Sequence, residues 1–353
     1  MKNRLVIFLL LFLPYILTAG HRDVKIYMPE DSVTFDTIPY IIMDQHYENS
    51  YKELTDMFDG KIPYNLKRAE FLVENPYYDG KMSYDDFSHD IDSIVAILNQ
   101  FIDVMNIRGY KTAPNYALFE YFTKPNPMNG NLSFTYDFDN ITSFKSYTIC
   151  FTSYLLRTHK GQCVSMPLLY KILCDELGGQ SALALGPRHM YIKHIGEDGR
   201  WVNVELTHGG FVRDVWLMET MNISTEAIRN GIFLCALDKK ETIALMLMQL
   251  ARSYIAKYDS YDSFVERCAD YVLAELPTFC DALLIKYCVH QELIIRYQNI
   301  FGEKFSPYFE EHYRERQHLL NRLDSLGYTQ PTTEEYLNEL EEGRQAMERK
   351  RHE

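Results

Sequence analysis

The sequence predicts an α+β fold in which a mixed core is followed by an all-α region. Three observations predict it: apolar residues at helical spacing in the first half of the chain, strand-like segments in the middle, and a helical pattern from Lys239 onward. The chain has 353 residues, of which 46% are hydrophobic and 24% charged. This length and composition suit a sizeable core and two folded domains.

Residues 1–19 have the features of a signal peptide. Lys2 and Arg4 precede an apolar run from Leu5 to Ile16, and Ala19 provides a small residue for cleavage. The run is shorter than the roughly 20 residues that a membrane-spanning helix needs. We therefore expect an exported protein, periplasmic or extracellular, that has no membrane span after cleavage. A retained N-terminal anchor is the alternative.

The first part of the mature chain is expected to be helical after an irregular arm. Residues 20–50 show no clear period and form the predicted arm, and helices are predicted near residues 51–59, 65–74 and 84–106. In the third helix, apolar residues recur at intervals of three and four and form a stripe that faces the core: Phe87, Ile91, Ile94, Val95, Leu98 and Ile102.

A buried helix is predicted to begin at Gly161-Gln162-Cys163 and to end at Gly178-Gly179. Its first turn contains Pro167, which a helix tolerates at that position. Cys163 then lies at the helix N-terminus, where unpaired backbone N–H groups and the positive end of the helix dipole stabilise a thiolate. The N–H of the same residue can stabilise an oxyanion.

Strands are predicted after this helix, at residues 181–185, 189–195 and 200–206, with a turn at Asp198-Gly199. A three-residue loop with Gly199 in the left-handed conformation gives an even register sum for the last two strands. His189 and Glu205 then share a face and are diagonal neighbours, within reach of a side-chain hydrogen bond. The other face is apolar and carries Met190, Ile192, Val202 and Val204.

Cys163, His189 and Glu205 have the chemistry of a nucleophile, a base and a residue that orients the base. His189 would accept the thiol proton, and Glu205 would stabilise the resulting imidazolium. The alternative is that Cys163 is a small buried apolar residue, as we expect of most of the seven cysteines. No C-x-x-C motif and no Cys/His cluster with zinc spacing occurs in the sequence, so neither a metal nor another cofactor is predicted.

These residues resemble the core of the transglutaminase-like superfamily. Gly161-x-Cys163 on a helix, His189 opening a strand and the segment 201–205 are similar to its motifs, the third of which usually reads W-x-x-V-D. Residues 118–122 and 135–140 are similar to bacterial transglutaminase-like proteins with a C-terminal tetratricopeptide region. The resemblance covers roughly residues 50–235 and implies a papain-like α+β fold with a Cys-His-acid site. Glu205 replaces the usual Asp, and no side-chain oxyanion donor is matched.

The region after Lys239 is predicted to contain helical pairs. Residues 250–277 resemble one degenerate tetratricopeptide unit, and residues 282–299 with 308–326 resemble a second. These helices either form a concave peptide-binding surface or cap one flank of the core; two repeats favour the cap, because fewer than three rarely stand alone. The predicted organisation is therefore a signal peptide (1–19), an arm (20–50), a transglutaminase-like domain (51–235), a tetratricopeptide-like region (236–333) and a charged helix (334–353).

The sequence thus predicts an exported cysteine acyl-transfer enzyme that acts on a peptide or amide bond of a peptide or protein substrate. Cys163 forms a thioester, which water resolves in hydrolysis or an amine resolves in transamidation. The alternative is a non-catalytic protein of the same fold that binds a protein or peptide partner with the help of its C-terminal helices. Nucleic acid is not an expected partner, because 36 basic residues oppose 49 acidic ones and the net charge is −13.

Overall fold

The computed structural model describes residues 44–138, 146–207, 209–302 and 306–330, together with residues 338, 341, 344 and 345. Helices and strands are mixed, as in an α+β fold. The predicted signal peptide, most of the predicted arm and most of the charged helix 334–353 lie outside the described residues. Within these ranges, no helix has the length and apolarity needed to cross a bilayer.

The N-terminal helices are α1 (Gln45–Phe58), α2 (Leu66–Tyr77), α3 (Tyr84–Val104) and α4 (Ala113–Thr123). The apolar stripe predicted in α3 is confirmed, since Phe87, Ile91, Leu98 and Ile102 are buried and Ile94 and Val95 are half-buried.

Helix α1 begins at Gln45, inside the stretch expected to be irregular. Asp44 caps it by accepting hydrogen bonds from the N–H groups of His46 and Tyr47, at 2.8 and 3.4 Å. The ring of Tyr47 is fully buried and packs edge-on against Tyr254, far along the chain. The local sequence does not predict this helix, because its buried face packs against Tyr254, which is distant in the sequence.

The chain then forms β1 (Thr135–Tyr136), α5 (Thr152–Thr158), β2 (Lys160–Gly161) and α6 (Ser165–Glu176). Strands β1 and β2 pair in parallel. This short pair holds the backbone extended as it approaches α6, and it thereby sets the position of the residues just before that helix.

A four-stranded antiparallel sheet follows, in the order β3 (Ser181–Gly186), β4 (His189–Ile195), β5 (Trp201–Glu205) and β6 (Gly210–Val212). Ile192 lies opposite Val204 and Gly199 has a φ of +78°, so the predicted register and loop are confirmed. The short edge strand β6 was not predicted, because three residues give too little alternation to detect. Helix α6 packs against the apolar face of the sheet through Leu169 and Leu173.

The remaining helices are α7 (Asp214–Thr220), α8 (Thr225–Arg229), α9 (Lys239–Tyr258), α10 (Ser263–Glu275), α11 (Cys280–Phe301) and α12 (Pro307–Ser325). Helix α9 packs against α1 and α2 as well as against α10. Its residues Met246 and Leu250 belong to the same continuous apolar cluster as Leu169 of α6. Helix α9 thus shares one continuous apolar cluster with helix α6.

Two carboxyl groups are buried together where α2 meets α5. Glu70 and Glu74 are 1% and 0% exposed. The Thr152 hydroxyl donates to Glu74 at 2.8 Å, and the Thr152 N–H donates to Glu70 at 3.3 Å. Burial is the largest cause that raises the pKa of both carboxyls, and the neighbouring Glu74 raises the pKa of Glu70 further. The raised pKa of both carboxyls indicates that the pair shares a proton.

Glu70→Gln is expected to flatten the pH dependence of stability. The pKa of Glu70 is raised in the folded protein, so its contribution to stability is complete below its ordinary pKa of 4.5 and is lost as the pH rises through the folded value. The free energy of unfolding of the native protein should fall by about 1.4 kcal/mol per pH unit over that interval. Glutamine keeps a hydrogen-bond donor and does not titrate. Urea denaturation of both proteins between pH 4.5 and 8 measures this; equal slopes would argue against a shared proton.

Candidate active site

Cys163 lies in the turn that connects β2 to α6. A Cβ atom on Gly161 would lie 2.6 Å from Ser165 Oγ and 2.9 Å from a methyl group of Leu155, so only glycine allows this close approach. The backbone N–H of Gln162 donates to Ser165 Oγ at 3.1 Å, and that hydroxyl donates to the carbonyl of Ile149 at 2.9 Å. The helix therefore begins at Ser165, later than predicted, and Cys163 stands immediately before its N-terminal end.

His189 follows a tight turn between β3 and β4. Gly186 pairs with His189, so Pro187 and Arg188 form a two-residue loop. Arg188 has a φ of +56°, and proline before a left-handed residue is the pattern of a type II turn. A non-glycine residue pays about 1–3 kcal/mol for such a conformation. The strained turn places the Arg188 carbonyl 3.9 Å from the Cys163 sulfur, which donates to it, and places His189 beside the same thiol.

The structure brings the three predicted residues together. His189 Nε2 lies 2.5 Å from Glu205 Oε2, at the short end of the hydrogen-bond range. The side chain of Cys163 lies next to that of His189 and helps to raise its pKa. Since Nε2 faces Glu205, Nδ1 is the ring nitrogen left for the thiol. The contacts therefore run from Cys163 through His189 to Glu205.

Glu205 is held through both of its oxygens. Its side chain is 2% exposed, and Oε1 accepts hydrogen bonds from the Thr207 N–H at 2.9 Å and from the Thr207 hydroxyl at 2.5 Å. The extra methylene of glutamate is accommodated, because the carboxylate is anchored on one side and meets His189 on the other. Sequence analysis missed Thr207; a hydroxyl residue two positions after a buried acid was the available signal.

Asn203 and His194, polar residues of the same two strands, do not take part in these contacts. The amide of Asn203 donates to the Val212 carbonyl at 3.2 Å and to Asp214 at 2.7 Å, so its donors are directed away from His189. His194, an even-numbered residue of β4, points to the opposite face of the sheet from His189. His208 lies outside the described residues.

The electrostatics of the site favour a charged His189. Burial alone would lower the pKa of His189, but the charge of Glu205 and the hydrogen bonds to Cys163 and Glu205 outweigh it and raise the pKa from 6.5 to about 10. Burial alone would raise the pKa of Glu205, but His189 and Thr207 lower it from 4.5 to about 2. The site therefore holds an imidazolium–carboxylate pair at neutral pH.

A cavity of about 150 Å³ lies between the sheet and the C-terminal helices. Val164, Arg188 and His189 line one side of it, and Arg252 and Asp281 lie on the other. Cys163 is only 2% exposed. The thiol is thus buried, while the residue that would activate it faces the cavity.

The arrangement of the cysteines and acidic residues was compared with that of metal centres over the described ranges. All seven cysteines lie in the described ranges and are free thiols. Among the residues that the structure describes, no group of three or more His, Cys, Asp or Glu side chains is arranged to hold a metal ion.

Comparisons with family models, with curated proteins and with solved structures gave no match to this chain. The resemblance to transglutaminase-like proteins thus stays a prediction drawn from a few motifs. What the chain does has to be inferred from the geometry around Cys163.

Proposed function

We propose that the protein is a cysteine acyl-transfer enzyme of the transglutaminase-like type. Cys163 is the nucleophile, His189 the base and Glu205 the residue that orients His189. The observation that carries this proposal is the position of His189, which lies beside a thiol and has Nε2 hydrogen-bonded to a buried carboxylate. A cysteine that only filled space in the core would need neither partner.

The reaction begins from a thiolate–imidazolium pair, in which the proton given up by Cys163 is held on His189 Nδ1. The sulfur attacks the carbonyl carbon of a peptide or amide, and the carbonyl oxygen becomes an oxyanion near the N-terminal end of α6, where backbone N–H groups stabilise it. His189 returns the proton to the leaving amine as the C–N bond breaks and a thioester remains. Water or a second amine then attacks the thioester, with His189 again as the base, and Cys163 is released.

The proposal also includes a papain-like core, a tetratricopeptide-like helical region and export of the protein. A helix that follows the cysteine and packs on an antiparallel sheet carrying His189 and Glu205 supports a papain-like core. The paired helices α9 to α12 support a tetratricopeptide-like region that acts as a cap. The features of residues 1–19 support an exported enzyme, periplasmic or extracellular.

Cys163 is expected to react with iodoacetamide faster than Cys235, although Cys163 is buried and Cys235 is exposed. Thiolates are the reactive species, and only Cys163 has a neighbouring imidazole to take its proton. Burial raises the pKa of Cys235. Brief labelling at pH 6–7, well below the ordinary thiol pKa of about 8.5, followed by mass spectrometry of each cysteine, measures the two rates.

His189→Ala provides the control for this experiment. It should slow the labelling of Cys163 at least about tenfold and leave Cys235 unchanged, because only the first thiol depends on the imidazole. Labelling that follows exposure alone, with no effect of the substitution, would favour the non-catalytic alternative.

The burial of Cys163 is the observation that favours this second candidate, a non-catalytic protein that binds a peptide or protein. A thiol that is 2% exposed does not meet a chain substrate without some movement of its surroundings. The cavity beside His189 would then be a binding site and not a route to the nucleophile.

A further inference from the structure

The segment that follows α12, which we call the C-terminal strap (residues 326–330), forms one wall of the cavity beside His189. The carbonyl of Gly327 accepts a hydrogen bond from the Ser224 hydroxyl at 2.9 Å, and the amide of Asn230 donates to the carbonyl of Leu326 at 3.1 Å. The Thr329 hydroxyl donates to the Asn222 carbonyl at 3.3 Å. The strap is thus tied to the residues around α8.

Gly327 is required at its position in the strap for two reasons. Its φ is +77°, and a Cβ atom there would lie 2.7 Å from the backbone nitrogen of Ala227. The next N–H, that of Tyr328, donates to the Leu323 carbonyl at 3.0 Å, which completes a Schellman motif at the end of α12. Together these contacts fix the direction in which Tyr328 leaves the helix.

Tyr328 lines the same cavity as His189. Its ring packs against Phe233 with the centroids 5.5 Å apart, and its hydroxyl accepts a hydrogen bond from the Gln330 amide. Burial raises the pKa of this hydroxyl, and nearby Asp281 raises it further. The wall of the cavity therefore already contains one aromatic ring with a polar group, that of Tyr328.

An ion pair gives the far side of the cavity its polar character. The two terminal nitrogens of Arg252 each lie 3.0 Å from an oxygen of Asp281, and Arg252 is buried. This pair balances its own charge, while most of the other lining residues, such as Leu245 and Leu284, are apolar. Arg188, His189 and Glu241 also line the cavity. A charged group would nevertheless have to give up its hydration among mostly apolar walls, whereas a neutral ring has little hydration to lose.

We propose that this cavity binds an aromatic side chain of the acyl donor, next to the carbonyl that Cys163 attacks. Its volume of about 150 Å³ matches one aromatic ring, as in engineered cavities of that size that bind benzene. His189 lines one side, so a ring held there brings the neighbouring carbonyl towards the site. The inference rests on the proposed acyl transfer and adds its substrate class: peptides with phenylalanine or tyrosine at the reacting position.

The test compares p-nitrophenyl esters of N-acetylated amino acids as acyl donors. The phenylalanine and tyrosine esters should acylate Cys163 about 10- to 100-fold faster than the glycine ester, measured by the nitrophenol burst and by the mass of the acyl-enzyme. A faster reaction of the aspartate ester, or equal rates for all esters, would overturn the aromatic pocket; the first result would point to Arg188 as the recognition group.

Variants that fill or open the cavity test whether the preference for aromatic esters arises there. Leu284→Trp should fill the cavity and bring the ratio of phenylalanine to glycine rates close to 1, whereas Ile300→Trp, at an exposed position of the same helix, should keep it. Gly327→Ala should displace the strap and weaken the preference; Gly302→Ala, at another left-handed glycine with open space around it, is its control. A preference unaffected by both Leu284→Trp and Gly327→Ala would contradict the assignment.

A binding measurement separates this inference from the proposed function. N-acetyl-phenylalanine amide should bind to the Cys163→Ala protein at least about tenfold more tightly than N-acetyl-glycine amide in titration calorimetry, and Leu284→Trp should remove the difference. Binding without acylation of Cys163 in the native protein would keep the pocket and reject the enzyme. Acylation without any aromatic preference would keep the enzyme and reject the pocket.

Discussion

Replacing Glu205 by alanine is expected to lower the free energy of unfolding by about 3–5 kcal/mol at mildly acidic pH. The substitution leaves the imidazolium of His189 in place without the carboxylate that stabilises it. The side chains of Glu205 and His189 are 2% and 14% exposed, so water replaces the lost contact poorly. Urea-induced unfolding of the native and variant proteins measures the loss.

This loss of stability is expected to become smaller both at higher and at lower pH. The pKa of His189 is raised from 6.5 to about 10, so its contribution to stability is complete below pH 6.5 and is lost as the pH rises towards 10. The pKa of Glu205 is lowered from 4.5 to about 2, so its contribution is complete above pH 4.5 and is lost as the pH falls towards 2.

The difference between the two proteins should therefore be largest between pH 4.5 and 6.5. His189→Ala serves as the partner variant: because the two residues act on each other, the double variant should lose less than the sum of the single losses. A pH-independent loss with additive variants would show that Glu205 stabilises the fold without pairing with His189.

His189→Ala is expected to slow the acylation of Cys163 by p-nitrophenyl acetate about 100- to 10,000-fold, because the thiol loses its proton acceptor. The burst of nitrophenol and the mass of the acyl-enzyme measure the rate. This small ester is chosen because it needs no specificity pocket.

His194→Ala is the matched control for that substitution, since it removes an imidazole from the same strand on the opposite face. It should leave acylation close to the native rate. Equal losses in both variants would indicate a general effect on the sheet, and no loss in either would remove His189 from the chemistry.

The register of β4 and β5 could be predicted because it depends on local signals alone. Gly199 supplies the left-handed residue of the loop, and the alternation of apolar residues then fixes which side chains share a face. The proximity of His189 and Glu205 follows from these two facts. The position of Cys163 beside them followed less directly, from the need of α6 to cover the apolar face of the sheet.

Other features depend on partners far away in the sequence and could not be predicted. Tyr47 gains its burial from α9, and Glu70 and Glu74 face the start of α5. The Arg252–Asp281 pair forms only when helices α9 and α11 pack against each other. In each case the role of the residue comes from tertiary contacts that the local sequence does not show.

The C-terminal strap is synthesised after the residues of the candidate site. The nucleophile, the base and the acid all come from the contiguous segment 163–205, whereas the strap that walls the cavity comes from residues 326–330. Synthesis proceeds from the N-terminus, so the segment that carries the site emerges well before the strap exists. A nascent chain therefore passes through a stage in which residues 163–205 are present and this wall of the cavity is not.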